Sequence, residues 1–126
     1  MSVEARAAPA KLRGLAHLAA AGRYSLAGLV RLLGEAAFRH EIALGALLVA
    51  SLAMEGVATS DLLIQGVLLL VLAATEALNT AIELIVDRVS PEFSLFAQQA
   101  KDLGSFAVFC LLAANLGFAA AVLLQA

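Results

Sequence analysis

From Leu62 to Thr75 the chain is apolar, interrupted only by Gln65 and Gly66, and it then runs into Glu76-Ala-Leu-Asn79-Thr80-Ala-Ile-Glu83-Leu-Ile-Val-Asp87-Arg88. An apolar stretch of this kind is membrane-spanning material. A helix turns ~100° per residue, so Glu76, Asn79, Thr80, Glu83 and Asp87 form one polar stripe, with Leu78, Ile82, Ile85 and Val86 expected on the opposite side. Three carboxylates and an amide thus share one face of a helix that begins inside a bilayer. Ionisable groups at that depth are costly, and they face protein and carry function. An ordinary solvated face would mix in lysine, and this stripe has none.

Two further stretches are apolar enough to cross a bilayer, so the spans read as about Ala36–Met54, Leu62–Val86 and Leu103–Leu124. With 63% hydrophobic and 14% charged residues and a mean hydropathy of +0.96, the 126 residues exceed what a soluble domain carries. The length fits a single domain, 1–126. A formal net charge of -2 leaves no nucleic-acid footprint. The single Cys110 falls within a span, excludes an intrachain disulfide and reads as packing. Nothing at the N-terminus resembles a cleavable signal. Residues 1–9 read as a frayed end, with Pro9 near a helix start. From Ala10 to Leu33 apolar residues alternate with Lys11, Arg13, His17, Arg23 and Arg31, so residues 1–33 form an N-terminal region built on a basic amphipathic helix at the membrane interface. Gly14, Gly22 and Gly28 allow bends in it. The fold class is an all-α membrane protein, with an N-terminal surface helix and three transmembrane helices.

Glu35, Arg39, His40 and Glu41 occupy the opening turns of the first span. Ile42–Ala53 alone is too short for a ~30 Å core, so the span includes those charged turns at its edge. Glu35 and Arg39 are i,i+4 neighbours able to pair, and His40 reads as an interfacial residue. Glu55–Asp61 is a short acidic connection, with Ser60 or Asp61 as the N-cap of the next helix. Ser90-Pro91 ends that helix. Glu92–Ala100 reads as a short polar segment anchored by Phe93, Leu95 and Phe96, and Lys101-Asp102 opens the third span, which Asn115 and Gly117 interrupt without charge. All 8 Lys and Arg lie before the first span's core or between Arg88 and Lys101. The positive-inside rule then puts the N-terminus and the 87–101 loop in the cytoplasm and the C-terminus outside. Small residues recur at four-residue spacing (Ala46/Ala50, Ala73/Ala77/Ala81, Ala113/Gly117/Ala121), a spacing that lets helices approach closely in lipid. Three short helices bury little by themselves, which points to a homo-oligomer.

At ~1.5 Å per residue, Glu76 lies roughly 21 Å from the outer end of its span, just beneath the cytoplasmic surface of a ~30 Å core. Glu83 lies about 10 Å further on. Glu35 begins the first span at a similar level, and Lys101-Asp102 the third. Carboxylates from two helices and a Lys-Asp pair from another therefore meet where a lipid headgroup hydroxyl meets a cytosolic solute. Carboxylates suit Mg²⁺, which reaches nucleotide phosphates through one or two of them plus waters; Glu35 and Glu83 are the candidates. Lys101 can neutralise phosphate charge. Glu76, nearer the lipid, is placed to take a proton from an attacking hydroxyl, and partial desolvation makes it a better base. Phosphoryl transfer needs positioning and charge neutralisation, and these groups supply both. Neither GxxxxGK[ST] nor GxGxxG is present. On the residues alone, a lipid kinase and an ion- or proton-handling oligomer both stand.

Three blocks resemble the prokaryotic diacylglycerol kinases: Glu35-Ala-Ala-Phe-Arg39-x-Glu41, then Glu76-x-Leu-Asn79-Thr80-Ala-Ile-Glu83-x-x-Val-Asp87-Arg88, then Ala100-Lys101-Asp102-x-Gly104-Ser105. The resemblance runs from about Tyr24 over nearly the whole chain. It implies a homotrimeric helical bundle in the bacterial inner membrane, with active sites shared between protomers, that uses ATP and Mg²⁺ to phosphorylate a lipid hydroxyl. It implies Glu76 as catalytic base with Asn79 in the catalytic cluster, and Glu35 and Glu83 as ligands of the ATP-bound Mg²⁺. His17, Tyr24, Lys101 and Asp102 would join Glu35 and Glu83 around the nucleotide, and Ser25, Arg39 and Ser105 would join Glu76 at the lipid. The sequence departs from the family's pattern at Thr80, where Ser is usual, at Arg23, which separates Gly22 from Tyr24, at His17, and in a Tyr24–Glu35 interval one residue short. The Glu-Ala-Ala-Phe-Arg block resembles the diacylglycerol-using branch. The alternatives are an undecaprenol kinase of the same family and a non-enzymatic membrane oligomer.

Overall fold

A computed structural model of the chain describes residues 10–126, which leaves Pro9 and its expected helix start outside the described residues. All of the regular structure among those residues is helical: α1 (Gly14–Leu33), α2 (Ala36–Met54), α3 (Thr59–Val89) and α4 (Leu95–Leu123). Three of them, α2, α3 and α4, are long and apolar enough to cross a membrane. The chain divides into one unit up to Arg31 and a second from Leu32 onward. In the first, α1 is uninterrupted through Gly22 and Gly28, where bends were expected, and it begins at Gly14 rather than Ala10.

Each helix end in the second unit has a local cause. Glu35 stands at the N-cap of α2 with extended backbone, and its side chain makes no capping hydrogen bond. Arg39 Nη1 donates to the Leu33 and Gly34 carbonyls, each at 3.0 Å, and so ties down the turn before α2. At the far end of α2, Gly56 takes φ 66, a left-handed conformation that costs glycine nothing. Gly56 N–H then donates to Ala53 at 3.2 Å and Val57 N–H to Leu52 at 3.3 Å, a Schellman closure of the helix. The N-cap of α3 is Ala58, not the expected Ser60 or Asp61, which lie in the first turn; there Asp61 complements the positive end of the helix dipole. Pro91 stops α3 where expected, with Val89 its last residue. The helix α4 begins at Leu95, so most of the expected polar segment 92–100 is its opening turns. Ser94 Oγ accepts from Ala97 N–H at 3.1 Å and supplies the cap.

At ~1.5 Å per residue, the 31 residues of α3 extend about 46 Å. That exceeds a ~30 Å hydrocarbon core, so part of α3 extends outside it. The second unit exposes many large apolar side chains and buries several polar ones beside its apolar core. Leu70 is 71% exposed, whereas Gln65 and Asn115 are fully buried. Gln65 Nε2 donates to Asn115 Oδ1 at 2.8 Å, and Asn115 Nδ2 donates to the Leu111 and Leu68 carbonyls at 2.8 and 3.2 Å. The two polar interruptions seen in separate spans are thus one interhelical clamp. Replacing Asn115 alone by Leu strands the Gln65 amide, and stability should fall by about 1–2 kcal/mol. Thermal unfolding in detergent should record that loss, and Gln65→Leu/Asn115→Leu should recover most of it.

Candidate active site

Toward the opposite end of α3 from Gln65, its polar stripe turns inward. Glu76, Asn79 and Thr80 are buried and Glu83 is half-buried, while Asp87 is exposed. Val86, expected on the far side, is also buried; it stands seven residues after Asn79, nearly two full turns, and so shares the stripe's edge. Leu78, Ile82 and Ile85 do face out.

A cavity of about 430 Å³ opens over this stripe, lined by Glu35, Glu41, Glu76, Asn79, Glu83 and Ser105 together with Ala37, Thr80, Val108, Phe109 and Leu112. Its volume is in the usual small-ligand range of ~300–1,000 Å³. Glu35 and Glu41 come from the start of α2, the middle group from α3, and Ser105 from α4. The carboxylates therefore come from α2 and α3, and most of the apolar lining comes from α4. Asn79 Nδ2 donates to Glu83 Oε1 at 3.4 Å, while Asn79 Oδ1 is buried without a hydrogen-bond partner among the described residues.

Gly104 makes the close packing at Asn79 possible. It is buried in α4, and a Cβ there would overlap Asn79 Oδ1. Gly104→Ala should therefore displace the Asn79 amide and cost about 1–3 kcal/mol. If that overlap is the cause, Asn79→Ala/Gly104→Ala should unfold at a higher temperature than Gly104→Ala alone.

The structure brings five of the expected residues into one cavity: Glu35, Glu76, Asn79, Glu83 and Ser105. Lys101 and Asp102 instead line a neighbouring cavity of about 330 Å³ at the α3–α4 connection. There Lys101 Nζ forms an ion pair with Asp87. Arg39 is exposed and donates from Nη1 to the backbone before α2. His17 and Tyr24 share a small cavity with Lys11 and Ala20 within the first unit, and Ser25 is exposed on α1.

Glu41 is the residue to which sequence reasoning gave no role. It lines the acidic cavity, and its Oε2 is buried without a hydrogen-bond partner among the described residues. The spacing carries the signal only once the packed face of α2 is known. Phe38, Gly45 and Leu52 are the buried face of α2, and Glu41 lies between the first two at i+3 and i−4.

The donor chemistry suits a divalent cation shared with phosphate. Among the described residues no three His, Cys, Asp or Glu side chains are gathered into a metal cage. Magnesium bound through one or two carboxylates, with substrate phosphates and waters completing the octahedron, needs no such cage. Glu35 and Glu83, lining one cavity from two helices, fit that requirement.

Residues 23–123 match the family model described as prokaryotic diacylglycerol kinase, a range that holds the whole acidic cavity and all of α2, α3 and α4 but not His17. The diacylglycerol kinase of a Sinorhizobium species is 49% identical over 114 residues, covering 90% of this chain and 83% of the relative. That of Haemophilus influenzae is 37% identical over 103 residues, or 81% of this chain and 87% of the relative. That of Escherichia coli K12 is 37% identical over 99 residues, or 75% and 79%.

Proposed function

The chain belongs to the prokaryotic diacylglycerol kinase family, and from that premise we propose that it transfers the γ-phosphoryl group of ATP to the free hydroxyl of diacylglycerol, yielding phosphatidic acid and ADP. The observation that carries this reading is the acidic cavity itself, in which Glu35, Glu76, Asn79, Glu83 and Ser105 converge from three membrane-spanning helices.

Glu76 takes the hydroxyl proton as the lipid oxygen attacks the γ-phosphorus, and the bond to the ADP oxygen breaks with its electron pair. Burial keeps this carboxylate among protein groups, in a cavity whose Val108, Phe109 and Leu112 offer apolar surface to a lipid acceptor. Asn79 steadies Glu83 through its amide donor. Glu35 and Glu83 would hold Mg²⁺ with the nucleotide, and the ion would supply positive charge to offset that of the phosphates. Lys101 and Asp102, with His17 and Tyr24, contact the nucleotide, and Ser25, Arg39 and Ser105 contact the lipid. The chain works as a single kinase domain in a homotrimer at the cytoplasmic face of the bacterial inner membrane, with its N-terminus inside and its C-terminus outside. In support of a homo-oligomer, the small residues Ala46, Ala50, Ala77, Ala81, Ala113, Gly117 and Ala121 are exposed on the single chain.

The test is a mixed-micelle assay in which diacylglycerol and undecaprenol compete for labelled ATP. Label should pass to diacylglycerol. Transfer to undecaprenol instead would move the chain to the other branch of the family, and no transfer with no MgATP binding would favour a non-enzymatic oligomer. Against a permeation role, the Gln65 amide nitrogen is clamped to Asn115 and the Thr75 hydroxyl donates to the Val71 carbonyl at 2.9 Å, so both donors are engaged inside the protein.

A further inference from the structure

A second cavity, of about 390 Å³, lies between α2 and α3. Its lining is apolar except for Glu41, and that residue also lines the acidic cavity. The two spaces therefore meet at one carboxylate, whose Oε2 is buried without a hydrogen-bond partner among the described residues. From Phe38 to Val49 the groove follows α2 for eleven residues, about 16 Å. That is half of a ~30 Å hydrocarbon core, the depth of a single leaflet. Across from α2 the wall is Leu69, Leu72 and Ala73 of α3. At Gly45 the two walls already pack closely, since an added Cβ would lie 3.0 Å from Leu69 Cδ2.

A ligand that fits both spaces has a polar head with a hydrogen-bond donor at the Glu41 level and an apolar tail one leaflet long. We propose that this groove holds one acyl tail of the lipid alcohol whose hydroxyl lies at Glu76, and that Gly45 determines which tails enter. The proposal rests on the kinase reading above and adds the tail's path and the residue that gates it. Leu69 meets the space at the tip of a flexible side chain, so it can yield to an added methyl but not to a branched side chain filling the groove. A bulky residue at 45 shortens the apolar tract while leaving the acidic cavity intact.

Gly45→Leu should lower kcat/KM for dioleoylglycerol by about tenfold, with the KM for MgATP and the turnover of dihexanoylglycerol close to wild type. Equal losses on long and short tails, or no loss on either, would overturn the proposal. A change in oligomer size in the variant would also overturn it, because the groove would then be a contact between copies of the chain. Should Gly45→Leu fail to fold, the wild-type protein decides. A diacylglycerol carrying a photoactivatable group midway along one tail should label Val49, Leu69 or their groove neighbours. A wild-type chain that phosphorylates diacylglycerol yet is labelled only elsewhere overturns the groove alone. One that phosphorylates no diacylglycerol overturns the kinase reading, and the groove's assignment falls with it.

Discussion

Glu76→Gln should lower kcat for diacylglycerol phosphorylation by about 10²- to 10⁴-fold, the range over which a positioned general base contributes. Glutamine keeps the size and the hydrogen-bonding reach of the side chain but cannot carry away a proton. Glu76 is buried on α3 among Asn79, Thr80 and the carboxylates of the same cavity, so the substitution removes a negative charge without opening a hole. The KM for MgATP should therefore stay close to wild type, because the residues proposed to hold the nucleotide are untouched. A loss confined to kcat identifies an interaction made in the transition state. Wild-type turnover in Glu76→Gln would remove this residue as the base, and a loss that appeared only as raised KM would make it a binding group.

Glu83→Gln and Glu35→Gln should give the complementary pattern, a KM for MgATP raised by about 30-fold or more. Removing one partner from a desolvated charged contact typically costs about 2–5 kcal/mol, and each 1.4 kcal/mol is about tenfold. The two residues come from different helices, Glu35 from the N-cap of α2 and Glu83 from α3, and line one cavity. Either loss should be partly offset by raising the Mg²⁺ concentration, since mass action favours the bound state. Magnesium titrations at fixed ATP measure this directly. An unchanged magnesium dependence in both variants would take the metal away from these carboxylates.

Much of this arrangement is legible in the sequence because the bilayer restricts what the chain can do. Apolar length fixes the three spans, and α2 has the expected bounds, Ala36–Met54. Periodicity places Glu76, Asn79, Thr80 and Glu83 on one face. What the sequence leaves open is where neighbouring helices touch. Gln65 and Asn115 stand fifty positions apart, and nothing local pairs them. Gly104 reads as a small residue in a motif until the Asn79 amide is seen filling its missing side chain. Helix ends depend on single hydrogen bonds, as with Ser94, whose cap starts α4 eight residues before the expected span at Leu103. Glu41 has no legible role in the sequence because its neighbours on the buried face of α2, Phe38 and Gly45, declare themselves only once α2 is packed.

Everything proposed for this site depends on Glu35 and Glu83 gripping one metal-bound nucleotide from two helices. Manganese in place of magnesium makes this visible by NMR, since a paramagnetic ion broadens the side-chain carbons nearest to it. With ATP and Mn²⁺ bound, the δ-carbons of Glu35 and Glu83 should broaden strongly while that of Glu55, at the other end of α2, stays sharp. Sharp signals from Glu35 and Glu83 in the ATP-saturated protein would contradict the account.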